Sequence, residues 1–482
     1  TLTSSGNISN AASQSLYFGG VGNVTVGGTI TGNLATGNGA LYKDGAGNLT
    51  LSANNSGLSG LFRMKGGTLT ITNGNSLGSG SVEFGSGATL VTLQVNSNAT
   101  IANRFELDNN TTNAVINVAS GQTATFTGVL SQTNGTVNTN KFGKDGAGTL
   151  VFNNSGGTYN GQIQIGQGSV VLGANNALGT NTSTSARGVD LGLNVGDTST
   201  ANDVSLLASN NVTVGQSIYV ALNTSSAKRT IGLSGTGTAT FTNEIYLDGN
   251  LTVDAGSSGT VAISGVIATN FAGGGGGIIT TNGTVILSGA NTYNGGTTVG
   301  SGSTLKIGAG GGAGALGGGN VTNNGTLVFD RTGSVSWANL ISGTGGIKKT
   351  NSGTLTLAGA NTFSGDATID AGVLAVSASN NLGAANNQIT INNGGTLRAT
   401  ANMTNVRNIT VSTGNTGYVE AAAGTTNTLN GTLSKNGSVL VLGGGGTHVV
   451  NGSITGANAN SDLYVSNSTT TINSTNSYNG PT

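Results

Sequence analysis

One sentence of residues is written twice in this chain. From Gly283 it reads GTVILSGANTYNGGTTVGSGSTLKI, and from Gly353 it reads GTLTLAGANTFSGDATIDAGVLAV. In Thr354-Leu355-Thr356-Leu357 apolar and hydroxyl residues alternate, the period of a strand with one buried and one wet face. Ala358-Gly359-Ala360-Asn361 reads as a turn, because Gly and Asn tolerate positive φ. Phe363 then points inward, Gly365 turns the chain again, and Ala367-Thr368-Ile369 resumes a strand. Partial copies span 47–71 and 148–172, and a truncated one spans 470–480, ending in SYNG. A second phrase trails them: NSLGSGSVEF from Asn75, NALGTNTS from Asn176, GALGGGNVTNNGTL from Gly314 and NLGAANNQITINNGGTL from Asn381.

Short strands between Gly/Asn turns leave three arrangements open, and nothing in the chain carries a capped helical period. A single sandwich or barrel rarely exceeds about 250 residues, and no linker divides these 482. A propeller wants even blades, whereas the copies begin at Gly47, Gly148, Gly283 and Gly353. A right-handed parallel β-helix tolerates unequal coils and fills a narrow interior with Val, Ile, Leu and small residues. The expected fold is therefore an all-β, right-handed parallel β-solenoid running continuously over residues 1–482. At about 20–25 residues per coil it makes roughly 20 coils and a rod near 100 Å. The copies are weakest across 180–282, where an inserted loop or subdomain has room.

Composition narrows the function. Glycine contributes 87 residues and charged residues only 7%, far below the usual quarter, so hydroxyls and amides must wet the surface. Disordered chains are Pro-rich and highly charged; this one has a single proline and recurrent β-branched residues. Sixteen basic and sixteen acidic residues balance, which argues against nucleic acid or anionic lipid as a partner. There is no cysteine for a disulfide or thiolate site, and no apolar run of the ~20 residues a membrane helix needs. The chain starts at Thr1, which suggests a piece of a longer precursor.

The phrases at 283–307 and 353–376 resemble the passenger-associated transport repeat, also called the autotransporter-associated β-strand repeat. Its pattern runs roughly G-x-L-x-L-x-G-x-N-T-Y-x-G-x-T-x-V-x-x-G-x-L, often followed by N-x-L-G. The copies at 47–71 and 148–172 match in part, and that at 470–480 is truncated. The resemblance implies β-helical passengers exported to the surface of Gram-negative bacteria as adhesins, coats or stalks. It carries two departures: no outer-membrane barrel follows, and the chain stops mid-repeat at SYNGPT.

No catalytic, metal or cofactor site is expected. Glu106/Asp108, Asp190/Asp197/Asp203, Glu244/Asp248/Asp254 and Asp366/Asp370 read as solvated acids in turns or on wet strand faces. His448 is the single histidine, with no G-x-S-x-G elbow to serve and no cysteine to share zinc. Gly312, Gly314 and Gly317 match a dinucleotide fingerprint by chance in a glycine tract, without a helix to follow. Tyr159, Tyr293, Phe363 and Tyr478 share one phase of the repeat and are expected at one buried corner. Trp337 alternates with Val335; it packs in the solenoid or offers a sugar-stacking face. Lys43-Asp44-Gly45 and Lys144-Asp145-Gly146 precede strands in matching contexts and suggest turn chemistry, while Lys228-Arg229 and Lys348-Lys349 are too short for a basic patch. The numerous Asn-x-Ser/Thr sequons, beginning at Asn7, Asn23 and Asn48, follow from the composition in a bacterial chain and would be glycan sites in an archaeal or eukaryotic one.

The expected function is a non-enzymatic extracellular structural or adhesive surface protein, outer-membrane-associated, whose partners are itself or the glycans and proteins of other cells. An alternative is a self-assembling filament, sheath or lattice subunit joined through uncapped coil ends. A carbohydrate-active β-helix enzyme is the minor alternative.

Overall fold

The computed structural model describes residues 1–10, 14–33, 40–85, 90–108, 113–132, 141–179, 188–223, 226–270 and 275–482. These residues form strands of two to six residues, two short 3-10 turns and no α-helix. Parallel strands stack as a β-solenoid of about 19 turns. The chain divides into two compact units, Thr1–Val261 with Ala268–Gly276, and Ala262–Ile267 with Gly277–Thr482.

In the first unit one face is a column of Val24–Val26, Asn48–Leu51, Gly67–Ile71, Val91–Val95, Asn113–Val118, Lys141–Asp145, Gln162–Ile165, Val189–Leu191 and Ile218–Val220. Every neighbour in it is parallel. A second column runs Ala99–Ile101, Thr123–Phe126, Thr149–Phe152, Gly168–Leu172, Val204–Ser209, Arg229–Ser234 and Leu251–Asp254. A third holds Ala40–Lys43, Leu61–Met64, Val82–Phe84, Phe105–Leu107 and Leu130–Gln132. Outside the segment Gly192–Thr200, the described part of 180–282 thus continues the columns; residues 180–187, 224, 225 and 271–274 of that stretch lie outside the described residues.

The second unit repeats the plan. Gly283–Leu287, Ser303–Ile307, Thr326–Asp330, Gly346–Thr350, Ala367–Ile369, Ile389–Ile391 and Ile409–Val411 make one column. Val335–Trp337, Thr354–Leu357, Val373–Val376, Thr396–Ala399, Thr416–Ala421 and Val439–Gly443 make another.

Register explains the repetition. Leu355 pairs with Leu374, Leu374 with Leu397, Leu397 with Val419 and Val419 with Leu442, and all five are buried. A slip of one residue would turn the whole set to solvent. Each such burial contributes about 1.5–3 kcal/mol, so every coil must present the same inward residues. In the first unit aromatics fill the interior: Phe84 stacks on Phe105 at 5.7 Å and Phe105 on Phe126 at 4.4 Å, with Phe152 edge-on to Phe126 at 5.7 Å.

The trailing N-x-L-G phrase lies one coil beyond the aromatic phrase, directly against it. Asn75 and Leu77 fall in the 3-10 turn Gly74–Leu77, and Asn381 and Leu382 in the turn Ser379–Leu382. The glycine that ends the phrase has positive φ in three of the four, +72° at Gly78, +91° at Gly179 and +78° at Gly383. A Cβ on the latter two would stand 2.0 Å from the Tyr159 carbonyl oxygen and 2.4 Å from that of Phe363. Two backbones meet at that point, and only glycine fits.

Candidate functional site

Three side-chain arrangements recur along the solenoid, an aromatic that bonds within its own turn and asparagines and lysines that reach neighbouring coils. The first is aromatic. Tyr159, Tyr293 and Phe363 are fully buried, and burial raises the pKa of both tyrosines. Tyr293 Oη meets Thr297 Oγ1 at 2.7 Å, and Tyr159 Oη donates to the Gln162 carbonyl at 3.1 Å. Where Phe363 lacks the hydroxyl, the residue four further on is Ala367. Tyr478 is half-buried and bonds Thr482 Oγ1 at 2.5 Å, the same spacing as Tyr293 and Thr297.

The second ladder is the asparagine two residues ahead of the aromatic. Asn361 Oδ1 accepts from the Ile341 amide of the preceding coil at 2.8 Å, and its Nδ2 donates to the Asn381 carbonyl of the following coil at 2.6 Å. Asn291 does the same between Ile267 and Ala315, both at 2.8 Å. Asn55 links Ile30 at 2.7 Å to Ser76 at 2.8 Å.

The third ladder is lysine. Lys43, Lys144, Lys349 and Lys435 are at most 2% exposed. Lys144 Nζ donates to the carbonyls of Asp145 at 2.8 Å, Gly146 at 2.6 Å and Gln167 at 3.0 Å, gathering its own turn and the next. Lys43 does so with Asp44, Gly45 and Gly66, and Lys349 with Thr350, Asn351 and Ala371. Lys435 Nζ donates to the Ser461 carbonyl and sits 3.6 Å from the Tyr478 ring centroid. Burial pulls the ammonium groups of Lys144, Lys349 and Lys435 down to about 8, against nearby carboxylates. The turn chemistry of Lys43 and Lys144 was readable in sequence. That the same device includes Lys349 and Lys435 was not, since lysine normally signals surface.

The remaining candidates stay apart. Trp337 is 8% exposed and lies in register with Leu357, so it presents no open face for a sugar. His448 is fully buried, its Nε2 2.9 Å from the Gly443 carbonyl, with Asn427 and Thr470 as its register neighbours. Gly312, Gly314 and Gly317 lie in an irregular stretch between strands Ser303–Ile307 and Val321–Asn323. Glu106 pairs with Arg104 at 2.8 Å and Asp370 with Lys348 at 2.6 Å. Asp203 and Asp366 accept the amides of Lys228 and Gln388, each at 2.8 Å. Glu244 accepts from Tyr246 Oη, Asp248 from Tyr219 Oη, and Asp254 from the Gly256 amide at 3.0 Å. Among the described residues no three His, Asp or Glu side chains group to hold a metal ion.

Asp190 and Asp197 do come together, under a decoration of the solenoid. Between Gly192 and Thr200 the chain leaves the sheet as a small hairpin, with an antiparallel bridge of Leu193 and Ser199 and Asp197 at φ +57°. Arg229, fully buried, donates to the carbonyls of Thr200 at 2.5 Å and Asn202 at 2.6 Å and holds the returning leg. Leu193 packs on Tyr219 and Ala221. At the tip, Val195 lies so close over Gly143 that a Cβ on the glycine would stand 2.1 Å from it. Asp197 pairs with Lys141. Gln164 Nε2 donates to Asp190 at 3.1 Å and Asp197 at 2.7 Å, so one amide bridges both carboxylates. Asp190 is fully buried and has no path to a substrate. Beside them a cleft of about 190 Å³ is lined by Val115, Lys144, Asp145, Gln164, Asn194 and Val195, among others. The hairpin lies within 180–282, the stretch where the copies are weakest and an inserted loop has room, although its position within that stretch was not readable.

Comparison with known proteins agrees with the ladders. Three segments, 142–176, 282–307 and 347–376, match the family described as Passenger-associated-transport-repeat. They contain the aromatics Tyr159, Tyr293 and Phe363; only the third copy carries buried lysine, asparagine and aromatic together (Lys349, Asn361, Phe363), since the first has Gly157 in place of the asparagine and the second lacks the buried lysine. A curated relative named "Adhesin BmaC autotransporter" from Brucella suis is 39% identical over 72 residues, 15% of this chain and 2% of its own length. An "Extracellular serine protease" from Serratia marcescens is 47% identical over 62 residues, 13% of this chain and 6% of its own. The chain thus spans only a small fraction of either relative. No solved structure gave a significant match.

Proposed function

We propose, taking passenger-type repeats on a β-solenoid as the premise, that this chain is a segment of a surface-exposed passenger of a Gram-negative bacterium. In this reading it is an adhesive or spacing element, without catalysis of its own. The observation that carries the reading is that the three matched repeats coincide with coils whose recurrent polar residues, Asn291, Asn361, Lys144 and Lys349, are spent on backbone groups of their own and neighbouring turns. Such residues serve architecture, and what remains for a partner is the outer surface. The similarity to an adhesin supports attachment as the role. The similarity to a serine protease is confined to 62 residues. His448, the only histidine, is sealed in the interior, so a Ser-His-Asp hydrolase would have to lie elsewhere in a longer chain.

The experiment is antibody labelling of intact cells of the source organism, with an antibody raised against the folded chain. Labelling of unpermeabilised cells, together with their loss of attachment when the gene is deleted, is the expected result. Labelling that needs permeabilisation would refute surface display. Full attachment in the deletion strain would refute the adhesive role.

A further inference from the structure

Two tyrosines on the outer face of successive coils form a pair that the interior does not need. Tyr17, in Leu16–Phe18, is the register neighbour of Tyr42, in Ala40–Lys43. Their rings are parallel to within 3°, with centroids 4.4 Å apart. Tyr42 is fixed from the following coil. Arg63, its register neighbour there, donates to Tyr42 Oη at 3.2 Å and pairs with Glu83 at 3.1 Å. Lys65 Nζ stands 5.1 Å from the Tyr42 ring centroid. Tyr42 is accordingly 7% exposed, whereas Tyr17 is 64% exposed and open to small solutes.

The centroid separation carries a chemical consequence. A spacing of 4.4 Å is close to that of two benzene rings joined by a single bond. Rotation about Cβ–Cγ, a broad two-fold torsion, takes such rings from face to face to edge to edge. One carbon ortho to each hydroxyl then meets its counterpart, and neither strand has to move. Those are the carbons at which a one-electron-oxidised phenol carries its unpaired spin. Oxidation enters at the exposed Tyr17 and reaches Tyr42 through the van der Waals contact of the stack. Tyr219 and Tyr246 are register neighbours too, but their hydroxyls are tied to Asp248 and Glu244, which pins both rings.

We propose that Tyr17 and Tyr42 are a site of oxidative cross-linking, joined into an ortho–ortho dityrosine by hydrogen peroxide acting through a heme peroxidase. Each phenol gives up one electron and its hydroxyl proton, and the two radicals couple to form one C–C bond. The hydrogens on the joined carbons then move to the oxygens and restore both phenols, so two C–H bonds are lost in all. The peroxide takes the two electrons and two protons, its O–O bond breaks, and two waters leave. In a chain without cysteine, this bond confines the unfolded state as a disulfide does, and it staples one coil to the next. The site needs only an oxidant at Tyr17 and is independent of what the surface attaches to.

The test treats the purified 482-residue chain, dilute enough to stay monomeric, with a heme peroxidase and hydrogen peroxide. A parallel sample uses photo-oxidised tris(bipyridine)ruthenium, which needs no docking of a second protein. N-acetyltyrosine in a third sample shows that each oxidant couples phenols. Dityrosine fluorescence measures the yield, and mass spectrometry of a chymotryptic digest of the unfolded product maps the bond. Peptides of Tyr17 and Tyr42 joined with the loss of two hydrogens, from chains that remain monomeric, are the expected result. Tyr17→Phe and Tyr42→Phe should each lower that yield at least tenfold, while Tyr219→Phe leaves it unchanged. Unaltered circular dichroism shows that each variant is folded, and the map on the unaltered chain needs no variant at all. Slower amide exchange at Leu16–Phe18 and Ala40–Lys43 after cross-linking is the expected sign of the staple. No Tyr17–Tyr42 bond under conditions that couple N-acetyltyrosine would overturn the site. So would dityrosine confined to other tyrosines or to pairs of chains, an equal monomeric yield in Tyr17→Phe, or unchanged exchange in the cross-linked chain. The reaction is run in vitro, so its failure and the failure of surface display are told apart.

Discussion

Replacing Asn361 with alanine removes both halves of one rung. The Ile341 amide loses its acceptor at 2.8 Å and the Asn381 carbonyl loses its donor at 2.6 Å, at a position 4% exposed. A buried polar group left without a partner costs about 1–3 kcal/mol. Two such groups, less the desolvation that the asparagine itself no longer suffers, give roughly 3 kcal/mol. In a solenoid each coil answers mainly to its neighbours, and a chain of this size does not unfold as one two-state unit. A global melting temperature is therefore the wrong reading. Hydrogen exchange resolved to peptides is the right one: the segments holding Ile341 and Asn381 should lose about 100-fold in protection, with the first unit unaffected. Asn451→Ala is the control, since it breaks only exposed side-chain bonds, to Asn430 and from Asn473, each at 2.9 Å, and should change protection less than about 3-fold. Equal effects of the two substitutions, or a loss spread evenly along the chain, would refute the rung as the source of coil-to-coil stability.

Tyr293→Phe should destabilise its coil by about 1 kcal/mol through the orphaned Thr297 hydroxyl, and adding Thr297→Ala should recover most of it, as Phe363 and Ala367 already do; additive effects in the double-mutant cycle would contradict this. Gly383→Ala forces a Cβ to 2.4 Å from the Phe363 carbonyl at φ +78° and should cost about 2–4 kcal/mol, read as local exchange; a neutral substitution would show that the backbones can part. Lys144, Lys349 and Lys435 hold folded-state pKa values of about 8, below the ordinary 10.5, so between those limits the unfolded chain binds more protons and resistance to denaturant should rise with pH. Replacing the three by methionine should flatten the rise, and an unchanged slope would sink the assignment. Burial lowers the His448 pKa below 6.5, so stability should fall as pH drops below 6.5 and the unfolded chain takes up the proton; His448→Asn should blunt that acid sensitivity in denaturant titrations.

Much of this architecture was legible in the residues. Leu355 and Leu357 alternate with Thr354 and Thr356, and that period alone assigns the faces. Tyr159, Tyr293, Phe363 and Tyr478 share a phase, which led to one interior corner; the first three are fully buried and Tyr478 is half-buried. The N-x-L-G phrase was visible as a repeat but its cause was not, because the clash that selects glycine is with a carbonyl one coil away in space. The same holds for Asn361 and Lys349. A sequence shows an amide in a turn and a charge before a strand; it does not show that carbonyls of two successive turns converge on one point. Trp337 was left open between packing and display, and only its register opposite Leu357 decides for packing. The hairpin at Gly192–Thr200 falls in the stretch 180–282 that was left open to an inserted loop, but its place there was not legible, because its glycines and asparagine mimic the turns of the coils.

The inward lysines also change how the molecule meets its surroundings. Trypsin-like proteases must draw an extended chain around a basic side chain into their cleft. Of sixteen lysines and arginines, Lys43, Lys144, Arg229, Lys349, Arg407 and Lys435 are at most 3% exposed, and each is fastened to backbone carbonyls. The bonds that such an enzyme would cut are at those six places among the best guarded in the fold. A scaffold that stacks itself with its own cations thereby withholds those six peptide bonds from digestion for as long as the coils stay joined.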